Sequence, residues 1–214
     1  MTMQEFEELK DCLRNGERKK IVTIIEKLVA DNISPITILN DALIPGMTRV
    51  GEMMKCGEMY LPEVLHSAGA MNAAMDILKP LLLKDNVKPV GRIVMGTVKG
   101  DMHDIGKNLV GVMLKGAGME VIDIGVQASP EKFVEAIKTH NPAVVGISAM
   151  LTTTMLGMNT AIEAISAAGL RSSVKIIIGG APVTQRFADE IGADAYARDA
   201  VRAAEKVKEM LAAA

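Results

Sequence analysis

The stretch Ile93-Val94-Met95-Gly96-Thr97-Val98-Lys99-Gly100-Asp101-Met102-His103-Asp104-Ile105-Gly106-Lys107-Asn108 runs from a β-rich segment through a glycine-rich turn into a helical pattern, Asn108–Leu114. A near-continuous apolar run such as Ile93–Thr97 suits a strand buried on both faces. The same alternation recurs downstream, with β-rich runs at Glu120–Ile124, Ala143–Ser148, Val174–Ile178 and Ala193–Tyr196 and helical patterns such as Phe133–Ile137 between them. Strands alternating with helices predict an α/β architecture: a doubly wound, Rossmann-like (flavodoxin-like) parallel sheet of five strands. In such sheets a ligand sits in the loops beyond the carboxyl ends of the strands, so the turn at 98–104 is the first place to look for chemistry.

Working back toward the amino terminus, the periodicity changes. Of nineteen glycines, five fall in residues 1–90 and fourteen in 91–214. Lys84-Asp85-Asn86-Val87-Lys88-Pro89 is polar and closes on proline, which predicts a linker and two domains, 1–88 and 89–214. Before it, apolar residues recur at helical spacing: Leu61, Val64, Leu65, Ala68, Met71, Met75, Leu78. Helices are expected near 3–14, 17–30, 34–54 and 61–83, most simply as a four-helix bundle. Asn15-Gly16 stops the first, Ser34-Pro35 starts the third, and Pro45-Gly46 should kink or break it.

Composition excludes several classes. The 214 residues are 49% hydrophobic, yet carry only five aromatics, no Trp and sixteen Met. A net charge of −2 argues against tracking a phosphate backbone, and the scarcity of aromatics removes the stacking platforms that single strands need. No apolar run approaches the ~20 residues of a membrane span, and the acidic start has neither part of a secretion signal. A cytoplasmic location is expected. Cys12 and Cys56, far apart and outside any metal-binding spacing, are expected to be buried free thiols.

The turn itself is a poor nucleotide loop. Gly100 and Gly106 enclose five residues where a P-loop has four, Asn108 stands where Ser or Thr is needed, and no GxGxxG is present. It does present His103 two residues after Asp101. A neutral imidazole is a good transition-metal ligand, and a carboxylate on its second nitrogen fixes the tautomer and raises its basicity.

Asp101-x-His103-x-x-Gly106, then Ser148-x-Met150 after the third strand and Gly179-Gly180 after the fourth, resemble the cobalamin-binding signature DxHxxG, SxL and GG, with Met150 in place of Leu. Residues 57–64 and the Met71-to-Met75 stretch are similar to the helical cap of methionine synthase and of the corrinoid proteins of methyltransferase systems. The resemblance implies a cobalamin, or related corrinoid, bound with its own base displaced and His103 as the lower axial ligand to cobalt. Asp101 would hold the imidazole and Thr154 would continue the relay. Gly100, Met102, Asp104, Ile105, Gly106, Ser148, Met150, Thr152, Gly179, Gly180 and Ala181 would line the cofactor and the slot for its nucleotide tail, with Ala197-Arg198-Asp199 as weaker candidates. Tyr60 is the residue expected at the upper face, with some of Met59, Met71 and Met75.

By the same resemblance the protein is a methyl-carrying subunit, not catalytic alone. A substrate-specific methyltransferase would load it, and a second would unload it to tetrahydrofolate or coenzyme M. A reductive activator would restore the corrinoid, and no nucleic acid or membrane would take part. The cap must uncover the cofactor for two partners, so motion about residues 84–90 is expected. Two alternatives share the motif. A mutase subunit would lack the helical half, and a cobalamin-dependent sensor would need a basic DNA-binding module that this chain does not encode. Plain structural roles suffice for His66 within its helix and for His140 at a helix end. Thr152, Thr153 and Thr154 could equally cap the following helix, and Thr154 is balanced between cap and relay.

Overall fold

A computed structural model describes residues 2–84 and 89–212. The chain forms two compact units. Met1–Pro89 with Gly116–Gly118 make one, and Val90–Lys115 with Met119–Ala214 make the other. Residues 85–88, which hold the expected boundary and most of the linker, lie outside the described residues.

The first unit is helical. α1 (Thr2–Asn15) and α2 (Arg18–Ala30) are separated at Gly16, whose φ of +69° is the left-handed conformation that ends a helix. The expected third helix is α3 (Pro35–Ile38), a π-helical turn (Leu39–Leu43) and α4 (Ile44–Cys56), in unbroken succession. The break expected at Pro45-Gly46 is therefore replaced by the π turn just before it. Proline has no N–H for an i→i−4 bond, and the Ile44 N–H instead reaches back five residues to the Leu39 carbonyl, so the chain stays helical past the proline. α5 (Leu61–Lys84) completes the unit and also carries a proline, Pro80, within it.

α1 packs on α4 and α5, and α2 on α5. Leu9, Leu13, Ile21, Ile25, Leu28, Leu43, Met71 and Leu78 are fully buried there. Two expectations fail. Leu65, counted in the apolar stripe, is 43% exposed because the stripe turns away from it. Cys12 is buried, but Cys56, the last residue of α4, is exposed. Burial, followed by its hydrogen bond to Glu17, pushes the Cys12 thiol up to about 11.

The second unit is the expected parallel sheet. Its strands are β1 (Arg92–Thr97), β2 (Glu120–Asp123), β3 (Val144–Ser148), β4 (Lys175–Gly179) and β5 (Ala195–Ala197), in the order β2-β1-β3-β4-β5. Its helices are α6 (Ile105–Gly116), α7 (Pro130–His140), α8 (Thr152–Ala167), α9 (Gln185–Glu190) and α10 (Ala200–Ala212). The expected strand ends shift slightly: β2 stops before Ile124, β4 includes Gly179, and β5 begins at Ala195. On one side of the sheet Phe133, Val145, Ile147, Met158, Ile165, Ile176 and Ile178 form the core. Gly96 lets this core close, since a Cβ there would lie 2.7 Å from Ile124 and 2.9 Å from Phe133.

Register positions the site. Thr97 is level with Ser148, Ser148 with Gly179, and Gly179 with Ala197, so four carboxyl ends form one row. β1 lies between β2 and β3, and the loops leaving β1 and β3 diverge from the point where strand order reverses, the usual ligand crevice of this topology.

Candidate functional site

The loop after β1 is anchored before it reaches His103. The Val98 N–H donates to the Ser148 carbonyl at 3.0 Å, and Asp101 N–H donates to the Val98 carbonyl at 3.1 Å. Gly100 takes a φ of +84°, a conformation that favours glycine, and turns the chain inward. That turn buries Asp101 completely.

A buried carboxylate must be fully hydrogen-bonded to remain ionised. Asp101 meets this with four donors. Its Oδ1 accepts from the His103 backbone N–H at 3.0 Å and lies 2.8 Å from His103 Nδ1. Its Oδ2 accepts from the Met150 backbone N–H at 2.7 Å and from Thr154 Oγ1 at 2.6 Å. Burial alone would raise the Asp101 carboxyl, but the bonds from Thr154, Met150 and His103 outweigh it and hold the carboxyl well below the usual carboxylate range.

An ionised Asp101 fixes the imidazole tautomer. It can only accept, so Nδ1 carries a proton, and in the neutral ring the lone pair is on Nε2. The imidazole is 56% exposed, so this lone pair is available to a ligand from outside the chain. The Thr154 hydroxyl also lies 3.0 Å from the Leu151 carbonyl, but it has one proton, and the shorter approach to a charged oxygen takes it. Leu151 is the residue that precedes α8, so the three threonines are not its cap, and Thr154 serves Asp101. Thr152 opens α8 and is exposed.

Several contacts escape sequence reasoning. Thr97, buried at the end of β1, donates from Oγ1 to the His103 carbonyl at 3.1 Å and so holds the loop from the opposite side. Its only sequence signal is a hydroxyl residue closing an apolar run. Gln127, at φ +50°, donates its backbone N–H to the Asp101 carbonyl at 3.1 Å. Lys107, 4% exposed, pairs with Asp123 and donates to Asn108 Oδ1 at 2.8 Å, while the Asn108 amide donates to Asp104 at 3.0 Å. Met150 is expected at the cofactor by its side chain, and its backbone N–H in addition binds Asp101.

The surroundings of the imidazole suit a flat apolar partner. Met102, Ile105 and Met150 are 68%, 69% and 47% exposed, unusually so for large apolar residues beside one another. Gly106 has nothing within 4 Å of the position a Cβ would take, so the chain itself gives no steric reason for glycine, and the space is open to another molecule. Gly180 is different. Its φ is +133° and a Cβ would lie 1.8 Å from the Ala149 carbonyl oxygen, so the fold itself demands glycine there. Ser148, Gly179 and Ala181 lie on the same row of strand ends or just beyond it.

Other candidates stand apart. The Asp199 carboxylate accepts from the Arg202 N–H at 2.8 Å and from Arg198 at 3.2 Å, an ordinary helix-start arrangement. His140 ends α7 and His66 is exposed on α5. In the helical unit Tyr60 is 68% exposed, whereas Met59 and Met71 are buried and Met75 is half-buried. Among the described residues no group of three or more His, Cys, Asp or Glu could hold a metal ion, and His103 offers one nitrogen. One nitrogen suits a metal that arrives with its other ligands, as in a macrocycle.

Comparison with known proteins identifies the family. A B12 binding domain family matches residues 91–205, and a second family of the same description matches residues 5–79. The chain is 42% identical over 214 residues to the dimethylamine corrinoid protein of Methanosarcina barkeri, covering 99% of this chain and all of that one. Among solved structures, the methanol:cobalamin methyltransferase complex MtaBC from Methanosarcina barkeri aligns with a TM-score of 0.90 at 26% identity, covering 99% of this chain and 81% of that one. A cobalamin-binding protein from Desulfitobacterium hafniense aligns with a TM-score of 0.76 at 31% identity, over 96% and 98% of the two chains.

Proposed function

The chain belongs to the cobalamin-binding corrinoid proteins of methyltransferase systems, and from that premise we propose that it carries a methyl group on a corrinoid whose cobalt is ligated from below by His103. One observation carries the ligation: the 2.8 Å pairing of His103 Nδ1 with a buried, ionised Asp101, which puts the lone pair of the neutral imidazole on Nε2 of an exposed ring. When bound, the corrinoid supplies a cobalt that accepts a methyl group from one molecule and yields it to another.

The chain's own residues bind and orient. Asp101 aims the imidazole through Nδ1, and Thr154 and the Met150 N–H keep Asp101 ionised. Met102, Ile105 and Met150 offer apolar surface to the lower side of the ring system, and Gly106 leaves room beside them for the displaced tail. Ser148, Gly179, Gly180 and Ala181 line the continuation of that slot. Tyr60 is assigned to the upper side, on the strength of its exposure as a large hydrophobic residue beside buried Met59.

The methyl source we assign is a methylated amine, because relatives at about two-fifths identity along the whole chain are dimethylamine corrinoid proteins. Loading then requires a substrate-specific methyltransferase. Unloading requires a second one that uses tetrahydrofolate or coenzyme M, and a reductive activator returns the cofactor to its reactive state.

The test is reconstitution of the full chain with cobalamin, followed by paramagnetic resonance of the one-electron-reduced cobalt. A single axial nitrogen that comes from the protein, and that His103→Ala abolishes while the corrinoid still binds, is the expected result. Retention of the cofactor's own base on cobalt in the wild type would overturn the ligation.

A further inference from the structure

Lys107 breaks two rules at once. It is a cation in the first turn of α6, where the helix dipole is unfavourable to positive charge, and it is 4% exposed, where an ammonium is costly to place. Such local conflicts tend to fall at functional positions. The ligation scheme above makes no use of it.

Its partners lead back to His103. The ammonium pairs with Asp123 at the end of β2 and donates to Asn108 Oδ1 at 2.8 Å. Asn108 Nδ2 donates to the Asp104 carboxylate at 3.0 Å, and the Asn108 backbone N–H donates to the Asp104 carbonyl at 2.7 Å. Asp104 is the residue after His103. Asp123 also accepts the Gly125 N–H at 2.8 Å, Gly125 accepts the Thr97 N–H at 3.0 Å, and Thr97 Oγ1 holds the His103 carbonyl at 3.1 Å. A ring of contacts therefore leaves Lys107 in both directions and closes on the backbone of two adjacent residues, His103 and Asp104.

We infer that Lys107 is a positioning residue for His103: paired with Asp123, it locks the start of α6 to the end of β2 and so fixes the backbone from which the imidazole projects. The inference rests on His103 being the cobalt ligand, but its mechanical part concerns the chain alone. The pair is weak evidence of a stabilising role, since replacing a buried ion pair by well-packed apolar side chains is often neutral or stabilising, and the cost of breaking one comes from the charge left buried and unpaired. Asp123, with its side chain 46% exposed, stays hydrated when Lys107 is lost. Positioning and global stability should thus respond in opposite directions.

The test uses the full-length chain and the variants Lys107→Met and Asp123→Asn. In the ligand-free proteins, hydrogen exchange of the His103 and Asn108 amides should accelerate roughly tenfold or more in each variant. The melting temperature of Lys107→Met should be unchanged or higher. After reconstitution with cobalamin, both variants should lose a large part of the protein-nitrogen signal on cobalt while still retaining corrinoid.

Unchanged exchange at both amides, or a full nitrogen signal in both variants, would overturn the positioning role and leave the ligation by His103 standing. Absence of the nitrogen signal in the wild type would instead sink the ligation, with the exchange measurement still deciding whether Lys107 holds the loop. Should Lys107→Met fail to fold, Lys107 is a structural cation and the inference is lost unless Asp123→Asn, folded, shows the accelerated exchange.

Discussion

Asp101 shows how much one buried side chain can organise. Four donors converge on its two oxygens, two from His103 and one each from Met150 and Thr154. Asp101→Asn keeps the shape but offers one acceptor oxygen and an amide that faces donors, so a loss of about 2–3 kcal/mol in unfolding free energy is expected. The pH dependence has a fixed sign. The folded carboxyl lies below its unfolded value of ~3.9, so its contribution is complete above about pH 5 and is lost as pH falls toward the folded value. Denaturant unfolding of wild type and Asp101→Asn should therefore give curves that converge on acidification; parallel curves between about pH 5 and 3 would show that Asp101 is not stabilised as an anion. Asp101 and His103 stand out in the sequence because their side-chain chemistry falls at a fixed spacing, whereas Thr154 enters only through the family resemblance, balanced there against a capping role. The backbone N–H of Met150 is not legible, since any residue but proline supplies one, and Thr97 and Lys107 act across strands whose register only folding sets.

At the scale of elements, the alternation of strands and helices was readable throughout, because buried parallel strands are continuous apolar runs. Of the kink or break expected in the third helix at Pro45, the break does not occur, since a proline signals a missing hydrogen bond and not whether the chain absorbs it by breaking or by a π turn. Two glycines with similar sequence signals also differ in cause, and they should differ on substitution. Gly180→Ala places a Cβ 1.8 Å from the Ala149 carbonyl at a φ of +133°, so a loss of about 3 kcal/mol or more is expected, with Met150 displaced from Asp101. Gly106→Ala meets nothing within 4 Å on an early helical position, so the ligand-free protein should gain about 0.5–1 kcal/mol. The same change should weaken corrinoid binding. Thermal melts with equilibrium binding read both, and unaltered affinity in Gly106→Ala would remove that glycine from the slot.

For the whole molecule, the division into a helical and an α/β unit sets the remaining prediction. On the proposed exchange between two methyltransferases, each would have to reach the cofactor, so we expect residues 84–90 to change their susceptibility to proteolysis when corrinoid binds. Equal cutting rates in that segment with and without cobalamin would argue against such motion. Among the described residues no helix is long and apolar enough to cross a membrane. The hydrogen bonds that orient His103 all begin and end between Thr97 and Thr154, within a single unit. On the proposed ligation, the imidazole clamp is in consequence heritable apart from the helical half: substitutions there leave its hydrogen bonds unaltered.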